Sequence, residues 1–191
     1  MLSSSTLTQV TVWYLDMRHP SELCPRLLDN PAIQVIQAEV PSPELSRFLY
    51  TSVGGDWYWC DRLVWTYDEW LAYLDRPAVQ TWVACNAGTP AGYVELEAQD
   101  DGSVKLAYFG LMRQFIGRGI GGHLLTRGIQ QAWAMNATRV WVHTCTLDSP
   151  HALKNYQARG FKIYKTQTFS FDLSQPPPGP WENAYGANKQ P

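Results

Sequence analysis

Gly117, Gly119, Gly121 and Gly122, with Arg118 among them, are the residues of this chain whose spacing points most directly to chemistry. They follow an apolar run ending at Leu111 that reads as a strand. They precede Ile120, Leu124, Leu125, Ile129 and Trp133, whose spacing is close to that of one helix face. A helix start offers amides without intrahelical partners and a partial positive charge, and glycines let an anion approach those amides closely. The expected ligand is a phosphate group, with Arg118 adding a full charge. Glycines also serve loops that merely turn, so the cluster does not settle the matter by itself.

Other reactive side chains lie on either side of this loop. Glu95 and Glu97 stand two residues apart on a predicted strand and therefore share one face, where either carboxylate can act as a general base directly or through water. The bland alternative is a solvated strand face. His143 falls on the strand after the glycine helix and is either a proton shuttle or a structural histidine. His123 sits in the first turn of that helix, beside the expected phosphate site. Asp148 and His151 are at another helix start, where capping accounts for the aspartate. Asp56-Trp-Tyr-Trp-Cys-Asp-Arg62 packs three aromatic rings between two acids. It suits a box for a cationic amine, a lid over the core or a homodimer contact.

The elements that must position these residues follow from local signals. Thr8 to Leu15 and Ile33 to Val40 read as strands. Ser42-Pro43-Glu44 starts a helix that ends near Gly54-Gly55, and the capping box Thr66-Tyr-Asp-Glu69 starts a second that ends before Pro77. Val79 to Cys85, Ala91 to Ala98 and Val104 to Leu111 read as consecutive antiparallel strands leading into the glycine loop. Arg139 to Cys145 forms another strand. Asp148-Ser-Pro150 caps a helix that Gly160 terminates, and Phe161 to Leu173 supplies two strands or one long bent one. The fold class expected is α/β in the α+β sense, a mixed but mostly antiparallel twisted sheet flanked by helices.

Two segments carry a family resemblance. Gln114-Phe-Ile-Gly117-Arg-Gly119 fits the pattern (Gln/Arg)-x-x-Gly-x-(Gly/Ala). A second register, closing on Gly119-Ile-Gly121, keeps the usual length from strand end to helix and places Ile116 where Gln or Arg usually stands. Ser149-Pro-His-Ala152-Leu-Lys-Asn-Tyr156-Gln-Ala-Arg-Gly160-Phe161 looks like N-x-x-A-x-x-x-Y-x-x-x-G-F, with Ser149 in place of the first Asn. On these residues the chain resembles the GNAT superfamily of acyl-CoA N-acyltransferases, over roughly 8 to 172. The resemblance implies a coenzyme A site on Phe109, Gly110, Leu111, Ile116, Gly117, Arg118, Gly119, Ile120, Gly121 and Gly122, joined by Ser149 and Asn155. It implies that Tyr156 protonates the leaving thiolate, acetyl-CoA being the cosubstrate and a small-molecule amine, amino acid or protein amine the acceptor. A non-catalytic acyl-CoA binding module of the same fold is the competing expectation.

Composition excludes several other classes. The chain has 191 residues, 45% of them hydrophobic, enough for one domain with a sizeable core over 8–173, a short tail over 1–7 and a Pro-rich, disordered tail over 174–191. A formal net charge of −2 offers no global field for nucleic acid or an anionic membrane. No apolar run approaches the roughly 20 residues of a membrane helix, and the N-terminus lacks the pattern of a secretory leader, so a cytoplasmic protein is expected. Cys24, Cys60, Cys85 and Cys145 form no C-x-x-C pair, and no metal site is expected. The loop also lacks the Gly-Lys-(Ser/Thr) ending of a P-loop.

Overall fold

A computed structural model describes residues 7–184; the expectation for 1–6, and for the tail beyond 184, lies outside the described residues. In chain order the elements are β1 (Leu7–Met17), β2 (Ile33–Ala38), α1 (Pro43–Gly54), α2 (Tyr67–Leu74), β3 (Val79–Asn86), β4 (Thr89–Ala98), β5 (Ser103–Leu111), α3 (Ile120–Ala134), β6 (Arg139–Cys145), α4 (Ala152–Ala158) and β7 (Lys162–Asp172). The early helices begin where capping chemistry places them. Ser42 accepts from the Leu45 N–H, and Thr66 and Glu69 exchange both bonds of a capping box, so otherwise orphaned amides are satisfied by side chains.

The seven strands form one sheet in the order β2-β3-β4-β5-β6-β1-β7. Every neighbouring pair is antiparallel except β5 and β6. That parallel pair is short: Ser103, Val104 and Lys105 face Arg139, Val140 and Trp141, and the strands then part. The separation begins beside a bulge. Glu95 opposes Tyr108 and Leu96 opposes Leu106, so Ala107 is the extra residue in β5. Such an insertion bends its strand and increases local twist.

Adjacent residues of β4 face opposite sides of the sheet, and each side has its own helices. Val94 and Leu96 belong to a core with Leu15, Leu106, Leu124, Ile129 and Val142, under α3 and α4. Tyr93 packs with Leu49, Val53 and Val83 on the other side, under α1. Beside it Tyr50, Trp70 and Leu74 form a third cluster under α1 and α2. Helix α3 sits close to the sheet at Gly128, where a Cβ would come 2.8 Å from Val94 Cγ1.

Of the two readings of Phe161 to Leu173, the single long strand is the one found, irregular where its register with β1 shifts between Tyr14 and Leu15. One expectation changes: Asp148 does not cap α4. Its Oδ2 accepts from Thr144 Oγ1 at 2.6 Å and from the Cys145 N–H at 3.0 Å, tying down the end of β6, while the N-cap of α4 is His151 without a side-chain bond. The Pro-rich segment contributes no helix or strand over 174–184, yet the Gly179 N–H donates to the Gly55 carbonyl at 2.9 Å.

Gly160 follows α4 with φ +104°, and a Cβ there would lie 2.0 Å from the Glu22 carbonyl oxygen. Both strain and clash oppose any side chain. Gly160→Ala is expected to lower the unfolding free energy by about 1–3 kcal/mol, read from urea denaturation followed by tryptophan fluorescence; an unchanged midpoint would contradict this packing.

Candidate active site

Where β5 and β6 part, a cavity of about 730 Å³ opens. Its walls come from Leu106 to Leu111 of β5, from Val142, His143 and Cys145 of β6, from the glycine loop and from the first residues around α4. At the loop end, Gly117 has φ +82° and Gly119, the N-cap of α3, φ +81°. A Cβ on Gly117 would meet nothing within 4 Å, so that glycine is required by the turn, not by crowding. The first amide of α3 to reach a backbone carbonyl is that of His123, at 3.4 Å from Gly119 O; among the described residues none from 117 to 122 does so. These amides sit at the positive end of a four-turn helix.

Most of the residues expected to hold a coenzyme line this cavity: Phe109, Gly110, Leu111, Ile116, Gly117, Gly119, Gly121, Gly122, Ser149 and Asn155. Two do not. The Arg118 side chain is exposed, its guanidinium 5.8 Å from the centre of the Phe115 ring, and the Ile120 side chain is buried in the core, so neither side chain lines the cavity. Positive charge comes from elsewhere. Arg26 lines the cavity, and a Cβ on Gly122 would lie 2.9 Å from both Arg26 Cδ and Arg159 Nη1. Burial and then the Arg26 charge pull the Arg159 pKa down, and among the described residues no carboxylate bridges either arginine. The stretch carrying Arg26 is docked on α3: its N–H donates to Thr126 Oγ1 at 2.9 Å, and the Leu28 N–H donates to His123 Nδ1 at 3.0 Å. His123 therefore anchors this stretch; burial, helped by Arg127, holds its pKa below the ordinary value and keeps the acceptor nitrogen bare.

Tyr156 projects from α4 into the wall, its ring 5.8 Å from that of Phe109 and 6.0 Å from that of Phe161. No hydrogen bond engages its hydroxyl among the described residues. Burial first, and then the charge of Asp148, push its pKa well above the usual phenol value, so the hydroxyl keeps its proton.

The paired carboxylates are elsewhere. Glu95 and Glu97 do share a face of β4, but neither lines the cavity. Glu95 is 1% exposed and binds Arg62 Nη1 at 2.9 Å and Tyr73 Oη at 2.8 Å, while Glu97 pairs with Arg76 at the surface. Neither is placed to act as a base there. Burial raises the Glu95 pKa against the pull of Arg62 and Tyr73; Arg62, whose charge burial opposes, is held cationic by that same carboxylate. We take the pair as ionised, since arginine does not give up its proton in proteins. The guanidinium also lies 4.1 Å from the Tyr73 ring centre, 4.4 Å from that of Tyr108 and 4.6 Å from that of Trp65.

The aromatic stretch splits. Trp57, Tyr58, Trp59 and Asp61 line the cavity, while Arg62 turns inward. Asp61 accepts from the hydroxyls of Tyr50 at 2.6 Å and Tyr108 at 2.5 Å. Across the cavity stands His143, accessible from it and flanked by Tyr14 and Trp141 at ring distances of 5.9 and 6.3 Å. His143 is exposed to solvent by its surface area, yet the protein atoms crowded around the ring and then the Lys105 charge lower its pKa below the ordinary imidazole value, with Asp148 and Asp61 opposing.

A profile of the Acetyltransferase (GNAT) family matches residues 44–161. No curated protein matches the chain by sequence. Among solved structures, a GCN5-related N-acetyltransferase from Kribbella flavida is 18% identical with a TM-score of 0.63, over 88% of this chain and 61% of that one. Another from Sphaerobacter thermophilus is 17% identical with a TM-score of 0.64, over 91% and 54%. An IAA acetyltransferase from Bacillus cereus is 21% identical with a TM-score of 0.52, over 69% and 79%. The chain thus spans little more than half the length of the first two, and at these identities the likeness is one of fold.

The two glutamates should separate in a stability measurement. Glu95→Ala leaves the Arg62 charge buried and unpaired, and should cost about 3–5 kcal/mol in chemical denaturation. Glu97→Ala removes a surface pair and should cost less than about 1 kcal/mol. Equal effects would remove the distinction.

Proposed function

The chain belongs to the GNAT acetyltransferase family, and from that premise we propose that it transfers an acetyl group from acetyl-CoA to a primary amine, of a small molecule, an amino acid or a protein, by direct attack. The observation that carries this reading is the row of amides from 117 to 122, turned to no backbone carbonyl, at one end of a cavity that continues between two separated strands. A diphosphate is the kind of anion such a row holds. Arg26, which lines the cavity, brings countercharge, with the buried Arg159 behind Gly122 adding to the positive field. Beyond Lys105, β5 has no strand partner on its β6 side, so its polar groups there suit an extended arm bearing amides, as an added strand would.

The thioester supplies an acyl carbon open to attack and a thiolate leaving group. Tyr156 stands in the wall with a protonated hydroxyl that has no internal partner among the described residues. With its pKa raised it is a weaker acid than a thiol of pKa about 8.5, so it acts by donating a hydrogen bond to the sulfur as negative charge develops there. Such a donor is worth most where charge appears only in the transition state. The net proton comes from the acceptor. As the C–N bond forms and the C–S bond breaks, His143 takes the proton that nitrogen sheds, and water in the cavity returns one to sulfur. Glu95 and Glu97 take no part, being engaged with Arg62 and Arg76.

Calorimetry with CoA and acetyl-CoA, followed by thiol release across a panel of amines, tests the reading. Tight binding without turnover on any amine favours the binding module instead. Tyr156→Phe should lower kcat about ten- to a hundredfold with coenzyme affinity kept. For pH, the base must be neutral: kcat at saturating amine should fall as pH drops through a value below the ordinary imidazole pKa of about 6.5. His143→Gln should abolish that limb; if the limb persists, the base is another group.

A further inference from the structure

We propose that the acceptor is an amine that arrives as a cation on a flat apolar body, an arylalkylamine in chemical class, and that Asp61 holds its ammonium against the rings of Trp57, Trp59 and Tyr108. This rests on the acetyl-transfer reading and names the substrate of that same site.

Asp61 and Arg62 are neighbours in the chain and yet serve different charges. Arg62 is committed to Glu95, and among the described residues no cation forms a salt bridge with Asp61. The Asp61 carboxylate is nevertheless ionised: burial opposes its charge, but the hydroxyls of Tyr108 and Tyr50 outweigh that and hold its pKa below the usual carboxylate value. One hydroxyl binds each oxygen, so each oxygen keeps further acceptor capacity. The two tyrosines also fix the group's position, since both rings are packed: Tyr50 lies edge-on to Tyr108 at 5.1 Å, and Trp59 lies 4.8 Å from Tyr108. Arg62 also favours the charge of Asp61 from a distance, but no cation touches the carboxylate among the described residues, and a fixed anion with open acceptor positions facing a cavity is a receptor for a cation.

The surroundings define what that cation is attached to. Trp57, Tyr58, Trp59 and Tyr108 line the chamber, as do Phe169 and Phe171 of β7. Tyr58, held at φ +60°, packs edge-on against Phe171 at 6.0 Å, which joins the two sets of rings. Aromatic faces attract ammonium groups and cover flat apolar surface, and they offer little to a strongly hydrated acceptor. His143 opens on the same chamber: the ammonium's first proton leaves to solvent before attack, so the neutral imidazole is free to take the second as the C–N bond forms. Lys105 also lines the cavity, 5.4 Å from the Trp141 ring centre, and would draw an acceptor bearing a carboxylate. Asp61 suits the ammonium of either class, and Lys105 adds a contact only for an acceptor that bears a carboxylate; the proposed simple amine needs Asp61 and the rings alone.

The test compares phenethylamine with phenylalanine and glycine in a thiol-release assay on the full chain, alongside calorimetric titration with phenyltrimethylammonium, a cation that cannot be acetylated. Phenethylamine should have the lowest KM. Asp61→Asn should raise that KM about ten- to a hundredfold and weaken phenyltrimethylammonium binding to match, with CoA affinity unchanged, while Asp61→Glu restores much of both. Preference for phenylalanine, or Asp61→Asn binding either probe as the parent does, overturns the proposal. The titration separates binding from turnover: a protein that binds CoA and the cation but releases no thiol refutes the acetyl-transfer reading, and one that turns over amines without any Asp61 dependence refutes only this one. Should Asp61→Asn fail to fold, Trp57→Ala must weaken phenyltrimethylammonium binding, and unchanged binding counts against it.

Discussion

Two parallel strands that hydrogen-bond for three residues and then diverge are the constraint on which this molecule turns. A sheet gains by continuing its ladder, so the divergence has to be enforced. The extra residue at Ala107 bends β5 away, and β6 is held on its far side by β1, from Val12 to Met17. What results is a cleft whose walls are backbone as much as side chain. One end meets the start of α3, where the same glycines that permit the turn leave amides uncommitted; the other opens toward the residues after α1. The glycine loop and the aromatic segment after α1 thereby share one cavity.

A second constraint keeps the aromatic end of the cavity in shape. Glu95 and Arg62 bury opposite charges between β4 and the segment after α1, with Tyr73 completing the set. Buried pairs of this kind add little net stability over an apolar replacement, because desolvation offsets most of their attraction. Their effect here is directional. With Arg62 pinned inward, the residue before it has to face out, and Asp61 meets the cavity with the support of Tyr50 and Tyr108. A network that looks catalytic by residue type thus works as scaffolding, and the residue beside it in the chain is the one that lines the cavity.

Much of the framework is legible in the sequence because it rests on local chemistry. Caps at Ser42 and Thr66, the turn glycines and the apolar periodicity of α3 each act over a few residues, and the strands and helices follow them closely. The order of elements and the two family-like segments lead to the observed fold, and most of the coenzyme positions read from them line the cavity. Side-chain partners over long range are not legible. The shared face of Glu95 and Glu97 follows from the strand period, but that face is covered by α1 and α2, and nothing in a period of two distinguishes a cleft from a covered layer. Arg26 lies in a stretch without periodicity, and its position depends on hydrogen bonds to Thr126 and His123 from a distant helix. An acid before Ser-Pro suits a helix cap, yet the end of β6 competes for Asp148 and wins.

One further consequence comes from the place of β1 in the sheet. It lies between β6 and β7, so Val12 waits for both Cys145 and Gln167 before either edge is covered. Of the described strands a ribosome emits this one before the rest of the sheet, and its two neighbours after β5. During synthesis it must stay solvated or be shielded by a chaperone while the β2–β5 meander assembles without it. Closure of the sheet then becomes a late step that joins the two ends of the domain, and the cleft acquires its second wall only when that step is complete.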